Sequence, residues 1–383
     1  MAIMKIILFA NTDWYLYNFR RSLAEGLRDA GHELLLISPP GPYGARLREL
    51  GFRWEPLPME RRSLNPLREL ALLWHLIRLF RSERPALVHG FTIKCAVYGS
   101  LAARWAGVPA RVSAVAGMGY VFSSSDLKAR VLRPMVRGML RLALDGANAR
   151  LILQNSDDVA LFEQAALVAA MRIRLIRGSG VDCARFIQAA TAGADRPLRV
   201  LLAARLLWDK GIAEYVVAAR KLLAQGRRIE FVLAGAPDPG NPAAVPEQTI
   251  QSWVDEGLVT WLGHVDDMAD LLGSVDVMVL PSYREGLPKS LIEAAACGLP
   301  LVTTDVPGCR EVVSDGIDGL LVPVRDGDAL AHAIMQLQDD PVLALRLGEA
   351  ARAKAHAEFD ERIVIQRTMD VYRELLPSLQ AAT

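Results

Sequence analysis

Residues 277–300 read Val277-Met-Val-Leu280-Pro-Ser-Tyr-Arg-Glu285-Gly-Leu-Pro-Lys-Ser-Leu-Ile-Glu293-Ala-Ala-Ala-Cys-Gly-Leu-Pro300. Four apolar residues in a row make a short buried strand, and Pro281 ends it. Gly286 lets the backbone approach a ligand without a Cβ in the way. Pro288 suits the first turn of a helix that Gly298 stops. Strand, short loop and helix are the opening of a βαβ unit, whose strands pair in parallel with a right-handed crossover. The same alternation extends both ways: strands are predicted at Leu198–Ala204, Glu230–Ala234 and Val259–Leu262 before it, and at Leu299–Thr303 and Leu320–Val322 after it.

Upstream, residues 178–194 lapse into Gly, Ser, Ala and Asp, and a second series of units precedes them. Its predicted strands are Lys5–Ala10, Glu33–Ser38, Ala86–Phe91, Ala110–Val115, Arg150–Gln154 and Met171–Arg177, with helices at Leu16–Ala30, Asn65–Phe80 and Cys95–Ala106. The fold class is therefore α/β, with two Rossmann-like parallel-sheet domains, residues 1–180 and 181–360, facing a cleft. In such sheets ligands bind beyond the carboxyl ends of the strands. A final helix is predicted over Glu361–Gln380.

At 383 residues, 52% hydrophobic and 23% charged, the chain is a well-buried globular protein rather than a disordered one. Cys95, Cys183, Cys297 and Cys309 are far apart and form no CxxC pair, which points to reduced thiols and not to a zinc site or disulfide framework. The apolar run Met4–Ala10 is too short for a signal peptide, and no stretch is long enough to span a bilayer, so a cytoplasmic protein is expected. The formal net charge of +1 hides a split: residues 1–182 hold 25 Lys+Arg against 15 Asp+Glu, and residues 183–383 hold 19 against 28. A basic N-terminal half suits phosphates: nucleic acid, an anionic membrane or a phosphorylated lipid.

The chemistry-bearing residues concentrate in the acidic half. The amides of Leu287, Lys289 and Ser290 open a helix N-terminus, which favours an anion. Glu285 on the loop and Glu293 in the helix bind no phosphate, but they suit the hydroxyls of a nucleotide sugar. A second segment, Ala203-Ala-Arg205-Leu-Leu-Trp-Asp-Lys210-Gly211, places Arg205 and Lys210 across a strand-to-helix turn. Two cations there meet the charge that a leaving diphosphate accumulates. A third, Trp261-Leu-Gly263-His264-Val265-Asp266, could present backbone groups to a flat base. Taken singly, each segment also fits plain surface or capping roles.

Together these pieces, with Gly298-Leu-Pro300 and Gly316…Gly319, resemble glycosyltransferase family 4, a family of retaining enzymes with the two-domain GT-B fold. The resemblance implies that Arg205 and Lys210 hold the donor diphosphate, that Glu293 binds ribose hydroxyls and that Glu285 faces the transferred sugar. It implies that the backbone around Gly286, Leu287, Pro288 and Ser290 contacts sugar or phosphate, and that His264 and Val265 meet the base. His89, in Val88-His89-Gly90, matches a histidine near the sugar, and the last helix is expected to cross back to the first domain. Asn11-Thr12-Asp13 departs from the glycine-rich first loop of many members.

Phe19-Arg20, His89-Gly-Phe-Thr92 and Ala116-Gly117-Met-Gly119-Tyr120-Val-Phe122 look like the branch that builds bacterial capsule and O-antigen repeat units, with UDP-sugar donors and undecaprenyl-diphosphate-linked acceptors. Asn11, Arg20, Gly117 and Gly119 then fall on the acceptor side. A helix predicted over Asp126–Leu144 carries Arg130, Arg133, Arg137 and Arg141 on one face, which suits an anionic bilayer. Peripheral attachment at the inner face of the plasma membrane follows.

Asp326-Gly-Asp328 imitates a DxD metal motif, but it follows a strand and opens a helix, so a cap is expected. No metal or other cofactor is expected. The function expected is transfer of a hexose or N-acetylhexosamine from a UDP-sugar. The alternatives are a GT-B sugar-nucleotide 2-epimerase, a pyridoxal-phosphate phosphorylase and a non-catalytic nucleic-acid or phospholipid binding module. Nucleic acid is not an expected partner, since the strongest constellation lies in the acidic half.

Overall fold

The computed structural model describes residues 3–60, 63, 65–115, 137–187, 196–238 and 240–376. The chain divides into two units, the first formed by residues up to Ser179 together with the segment from Arg362, the second by Gly180–Glu361.

The first unit holds a seven-stranded parallel sheet in the order β3-β2-β1-β4-β5-β6-β7. Its strands are β1 (Lys5–Phe9), β2 (Glu33–Ser38), β3 (Arg53–Pro56), β4 (Leu87–Phe91), β5 (Ala110–Val115), β6 (Ala149–Leu153) and β7 (Ile173–Leu175). β1 and β4 pair from Ile6↔Leu87 to Phe9↔Gly90. Every residue of β4 and β5 is buried, as a central strand covered on both faces must be. One face carries the helices Pro66–Glu83 and Ile93–Ala106, whose Leu76, Phe80, Ala96 and Ala102 join a core with Ile7, Phe9 and Val88. The other face carries Asp13–Phe19, Arg21–Asp29, Tyr43–Glu49 and the last helix, Glu361–Leu375, which puts Val364, Val371 and Tyr372 into a core with Ile6, Leu8 and Phe91. Each large aliphatic side chain so buried contributes about 1.5–3 kcal/mol relative to exposure.

The second unit holds a six-stranded parallel sheet in the order β10-β9-β8-β11-β12-β13. These strands are β8 (Leu198–Ala203), β9 (Ile229–Ala234), β10 (Thr260–Trp261), β11 (Val277–Leu280), β12 (Leu301–Thr304) and β13 (Leu320–Val322). β8 pairs β9 along its full length and pairs β11 at Val200↔Val277 and Leu201↔Met278. The two outer layers differ in content. One is wholly apolar around Leu291, Ile292 and Phe359, and the other is built around Tyr215, whose hydroxyl donates to the carbonyls of Val200 and Val232.

The single helix predicted over Leu16–Ala30 is two helices, because Arg20 leaves helical geometry at φ −130° and ψ 1°. β3 and the Tyr43–Glu49 helix carry no strong periodicity of their own and form against the sheet. Of the predicted Asp126–Leu144 helix, residues 137–144 are described and helical. Arg130 and Arg133, like Gly117 and Gly119, lie outside the described residues.

Candidate active site

In the second sheet the strand order reverses at β8: β9 lies on one side and β11 on the other. Loops leaving adjacent strands at such a point diverge and leave a crevice. The loops after β8 and β11 are knitted together there. The Asp209 carbonyl accepts from the Tyr283 amide at 2.8 Å and from Ser282 Oγ at 3.1 Å. Gly211 sits at φ +72°, and a Cβ on it would lie 2.0 Å from the Pro281 carbonyl oxygen, so only glycine fits. Gly308, at φ +71° in the loop after β12, is also close-packed: a Cβ on it would lie 2.6 Å from the Gly286 carbonyl oxygen and 2.7 Å from that of Glu285.

These contacts bring Lys210 and Glu285, 75 residues apart, to a 2.5 Å Nζ–Oε1 ion pair. The two side chains keep only 18% and 11% of their exposure. Arg205 does not share this pairing. Its side chain is 58% exposed and holds Asp238 Oδ2 at 3.0 Å. The two cations expected to serve one anion therefore each hold a carboxylate in this structure.

Pro288 is the N-cap residue of the Lys289–Ala296 helix and not part of its first turn: its ψ of 106° is extended, so helical geometry starts one residue later. Ser290 is in the first turn, where amides have no intrahelical acceptor. Glu293 lies one turn further, 3.5 Å from Lys289 Nζ. Burial raises its carboxyl above the ordinary range, and Lys289 offsets part of that. Leu287 and Val265 are partly buried and pack against the same apolar core. His264 is exposed and 3.4 Å from Asp266, after a Gly263 at φ +68°.

The first sheet reverses between β1 and β4. After β1, the half-buried Asn11 leads to Thr12, which caps the Asp13–Phe19 helix through the Tyr15 amide at 3.0 Å. Asp13 is 3% exposed and accepts from the amides of Trp14, Tyr43 and Gly44 at 2.7–2.9 Å. Arg20 is buried over the Phe91 ring at 4.3 Å, with Nη2 donating to the Tyr15 hydroxyl at 3.0 Å. His89 is 1% exposed. Its Nδ1 lies 2.6 Å from the Tyr372 hydroxyl, and its Nε2 is buried without a hydrogen-bond partner. Burial, reinforced by the Arg20 charge, holds the imidazole pKa well below its ordinary value, so the ring is neutral at pH 7. Arg137 and Arg141 are exposed, Arg141 donating to the Ala166 carbonyl at 2.6 Å.

Asp238, Asp209 and Tyr372 were not singled out by sequence. Asp238 sits in an unremarked Pro-Asp-Pro turn, Asp209 acts through its backbone, and Tyr372 reaches His89 across 283 residues. Asp326 caps the Gly327–Asp339 helix through the Ala329 amide at 2.8 Å, and Asp328 pairs with Lys221. Among the described residues one group has metal-ligand types close together: Cys183, His356 and Asp360, with donor atoms within 4.8 Å of one another.

Two family models match the chain, "Glycosyl transferase 4-like" over residues 5–156 and "Glycosyl transferases group 1" over residues 197–340. It is 29% identical to the N,N'-diacetylbacillosaminyl-diphospho-undecaprenol alpha-1,3-N-acetylgalactosaminyltransferase of Campylobacter jejuni, covering 98% of this chain and all of that one. It is 27% identical to an Escherichia coli UDP-Gal:alpha-D-GlcNAc-diphosphoundecaprenol alpha-1,3-galactosyltransferase, over 82% of each. Among solved structures, Anabaena Alr3699/HepE in complex with UDP and glucose superposes with a TM-score of 0.77 at 21% identity, over 96% of this chain and 99% of that one. Sucrose-phosphate synthase from Thermosynechococcus elongatus gives 0.78 at 24%, over 98% and 100%. The matches support sugar transfer and lend nothing to the epimerase or binding-module alternatives. With both sheets matched and a relative of its own length that transfers a sugar, the chain carries a glycosyl transferase 4-like domain followed by a glycosyl transferases group 1 domain and is a glycosyltransferase of the GT-B fold.

Proposed function

We propose that this enzyme moves a hexose or N-acetylhexosamine from a UDP-sugar to a glycan carried on a polyprenyl diphosphate, with retention at the anomeric carbon and without a metal ion. The observation that carries the donor half of this reading is the Lys210–Glu285 pair at the switch point of the second sheet, beside a helix N-terminus. A diphosphate entering there competes with Glu285 for Lys210 and draws in Arg205, whose exposed side chain is paired with Asp238. Glu285, once released, has its carboxylate available to the sugar hydroxyls, and Glu293 to the ribose. As the anomeric bond breaks, negative charge grows on the leaving phosphate, where fixed cations and helix amides lower the barrier. The acceptor hydroxyl attacks from the face that the diphosphate leaves, its proton passing to a phosphate oxygen.

The acceptor half rests on the two relatives named for undecaprenyl-diphosphate substrates and on the basic first half of the chain. No helix among the described residues is long and apolar enough to cross a membrane. Reaching a lipid-linked acceptor therefore calls for peripheral attachment at the cytoplasmic face. Mass spectrometry of UDP-sugars incubated with short polyprenyl-diphosphate glycans tests the whole reading: a product heavier by one sugar is expected, and absence of both UDP binding and transfer sinks it. Turnover in EDTA equal to that in Mg²⁺ is expected, and complete loss that Mg²⁺ or Mn²⁺ restores would overturn the metal-free mechanism.

A further inference from the structure

The helical layer over one face of the first sheet has an outward side that no part of the cores explains. On the Pro66–Glu83 helix, Leu67, Leu70 and Trp74 are 77%, 62% and 59% exposed, at three- and four-residue steps that put them on one stripe. Arg78 and Arg81 continue the same stripe and are exposed. Trp105, half exposed, closes the Ile93–Ala106 helix beside the exposed Arg104. On residues 137–144, Met139, two residues from the exposed Arg137 and Arg141, and Leu142, next to Arg141, are exposed.

Hydrogen bonds join these three segments side by side into one plate. Arg81 Nη2 donates to the Trp105 carbonyl at 3.2 Å, Arg104 Nη1 to the Leu142 carbonyl at 3.1 Å and Ser100 Oγ to the Ala143 carbonyl at 2.6 Å. The acidic residues of the three segments are withdrawn: Glu69 and Glu83 keep 13% of their side-chain exposure and are paired with Lys94 and with Lys5 and Arg53. Arg81, Arg104 and Arg141 donate to carbonyls, and among the described residues none of the three pairs with a carboxylate.

Scattered exposed apolar residues are ordinary, but six on one plate, two of them tryptophan, among five arginines are not. Tryptophan favours the polar–apolar boundary of a bilayer, and arginines beside it favour anionic headgroups. In a βαβ unit the helix runs against the strands, so Leu67 and Leu70, at the start of their helix, lie toward the carboxyl ends of the strands, where the first sheet's switch point opens. We propose that this plate, formed by the 66–83 and 93–106 helices with residues 137–144, is the surface that docks on an anionic bilayer. It deepens the peripheral attachment proposed above by assigning it chiefly to Leu67, Leu70, Trp74 and Trp105, which the sequence reading of a single basic helix did not include.

Sedimentation with vesicles tests it. The full-length protein is expected to co-sediment with vesicles of phosphatidylcholine and phosphatidylglycerol in equal parts, and not with phosphatidylcholine alone. Leu70→Ser with Trp74→Ser, and separately Arg78→Glu with Arg81→Glu, should each weaken that binding about tenfold or more, since each arginine near the surface favours binding about fivefold. Both variants should keep wild-type turnover on a soluble acceptor, which shows that they are folded. Wild-type binding that neither variant weakens would overturn the plate while leaving membrane attachment standing. Failure of the wild type itself to bind would remove the attachment reading as well. A dimer by light scattering that either variant converts to monomer would overturn the plate by assigning the same face to self-association.

Discussion

The two switch points occupy the same place in two similar sheets, yet their side chains are of opposite character. Beyond β8 and β11 lie groups that can let go: Lys210 on Glu285, Arg205 on Asp238, Glu293 beside Lys289. Around β1 and β4 lie groups that are locked: Asp13 on three amides, Arg20 over Phe91 and against Tyr15, His89 on Tyr372. An ion pair is cheap to exchange for a charged ligand, because the incoming anion replaces the carboxylate it displaces. A buried hydrogen-bonded network is costly to open, since each group left unpaired pays its full desolvation cost. One sheet is therefore arranged to exchange partners and the other to hold a shape.

The sharpest way to break this contrast is at Lys210. Lys210→Ala should lower kcat by about 10²–10³-fold and Arg205→Ala by about 10²-fold, as expected for removing one fixed charge from a developing anion. Initial rates with a UDP-sugar at saturating acceptor measure this, and near-normal turnover in both would take the cations out of the chemistry. Gly211→Ala comes next. Its strained φ and the clash with the Pro281 carbonyl should cost about 1–3 kcal/mol of stability and, by displacing Lys210, about tenfold or more in kcat. A urea midpoint and a rate equal to wild type would show that the two loops need no such contact.

The first sheet offers the complementary tests. Tyr372→Phe leaves His89 Nδ1 without its partner and should lower the stability of the first unit by about 1–3 kcal/mol, read from urea unfolding. A kcat loss as large as that of Lys210→Ala, without loss of stability, would make this network catalytic. The smallest effect is a pH dependence. The folded state holds His89 neutral below the ordinary histidine pKa of about 6.5, while the unfolded chain protonates there. Protons thus favour unfolding, and stability should be intact above about pH 6.5 and fall by up to about 1.4 kcal/mol per unit below it. Thermal melts from pH 7.5 to 5.5 check this, and His89→Gln should flatten the dependence.

Much of this was legible in the residues. The Gly-Leu-Pro-Lys stretch after an apolar strand announced a helix opening beside Glu285, because glycine, proline and strand length are local signals. That Lys210 and Glu285 would face one another was suggested only by both following strands, and the contact itself depends on Gly211 fitting under Pro281. His89 was singled out as a histidine at a strand end, but its burial and its bond to Tyr372 were not readable, since the partner lies at the far end of the chain. The helix predicted through residue 20 broke there because tertiary packing of Arg20 on Phe91 outweighs helix propensity.

Local patterning by itself determined the element types, the two-sheet α/β class and the segments that carry charge, because strand and helix periods and turn residues act over a few neighbours. Tertiary structure decided which charges meet, which are buried neutral and which apolar side chains stay outside. Those outcomes depend on the order of strands around β8 and β1, which brings residues 75 and 283 positions apart into contact. Burial and pairing, the two quantities that set the energy of a charge, exist only once that order is made.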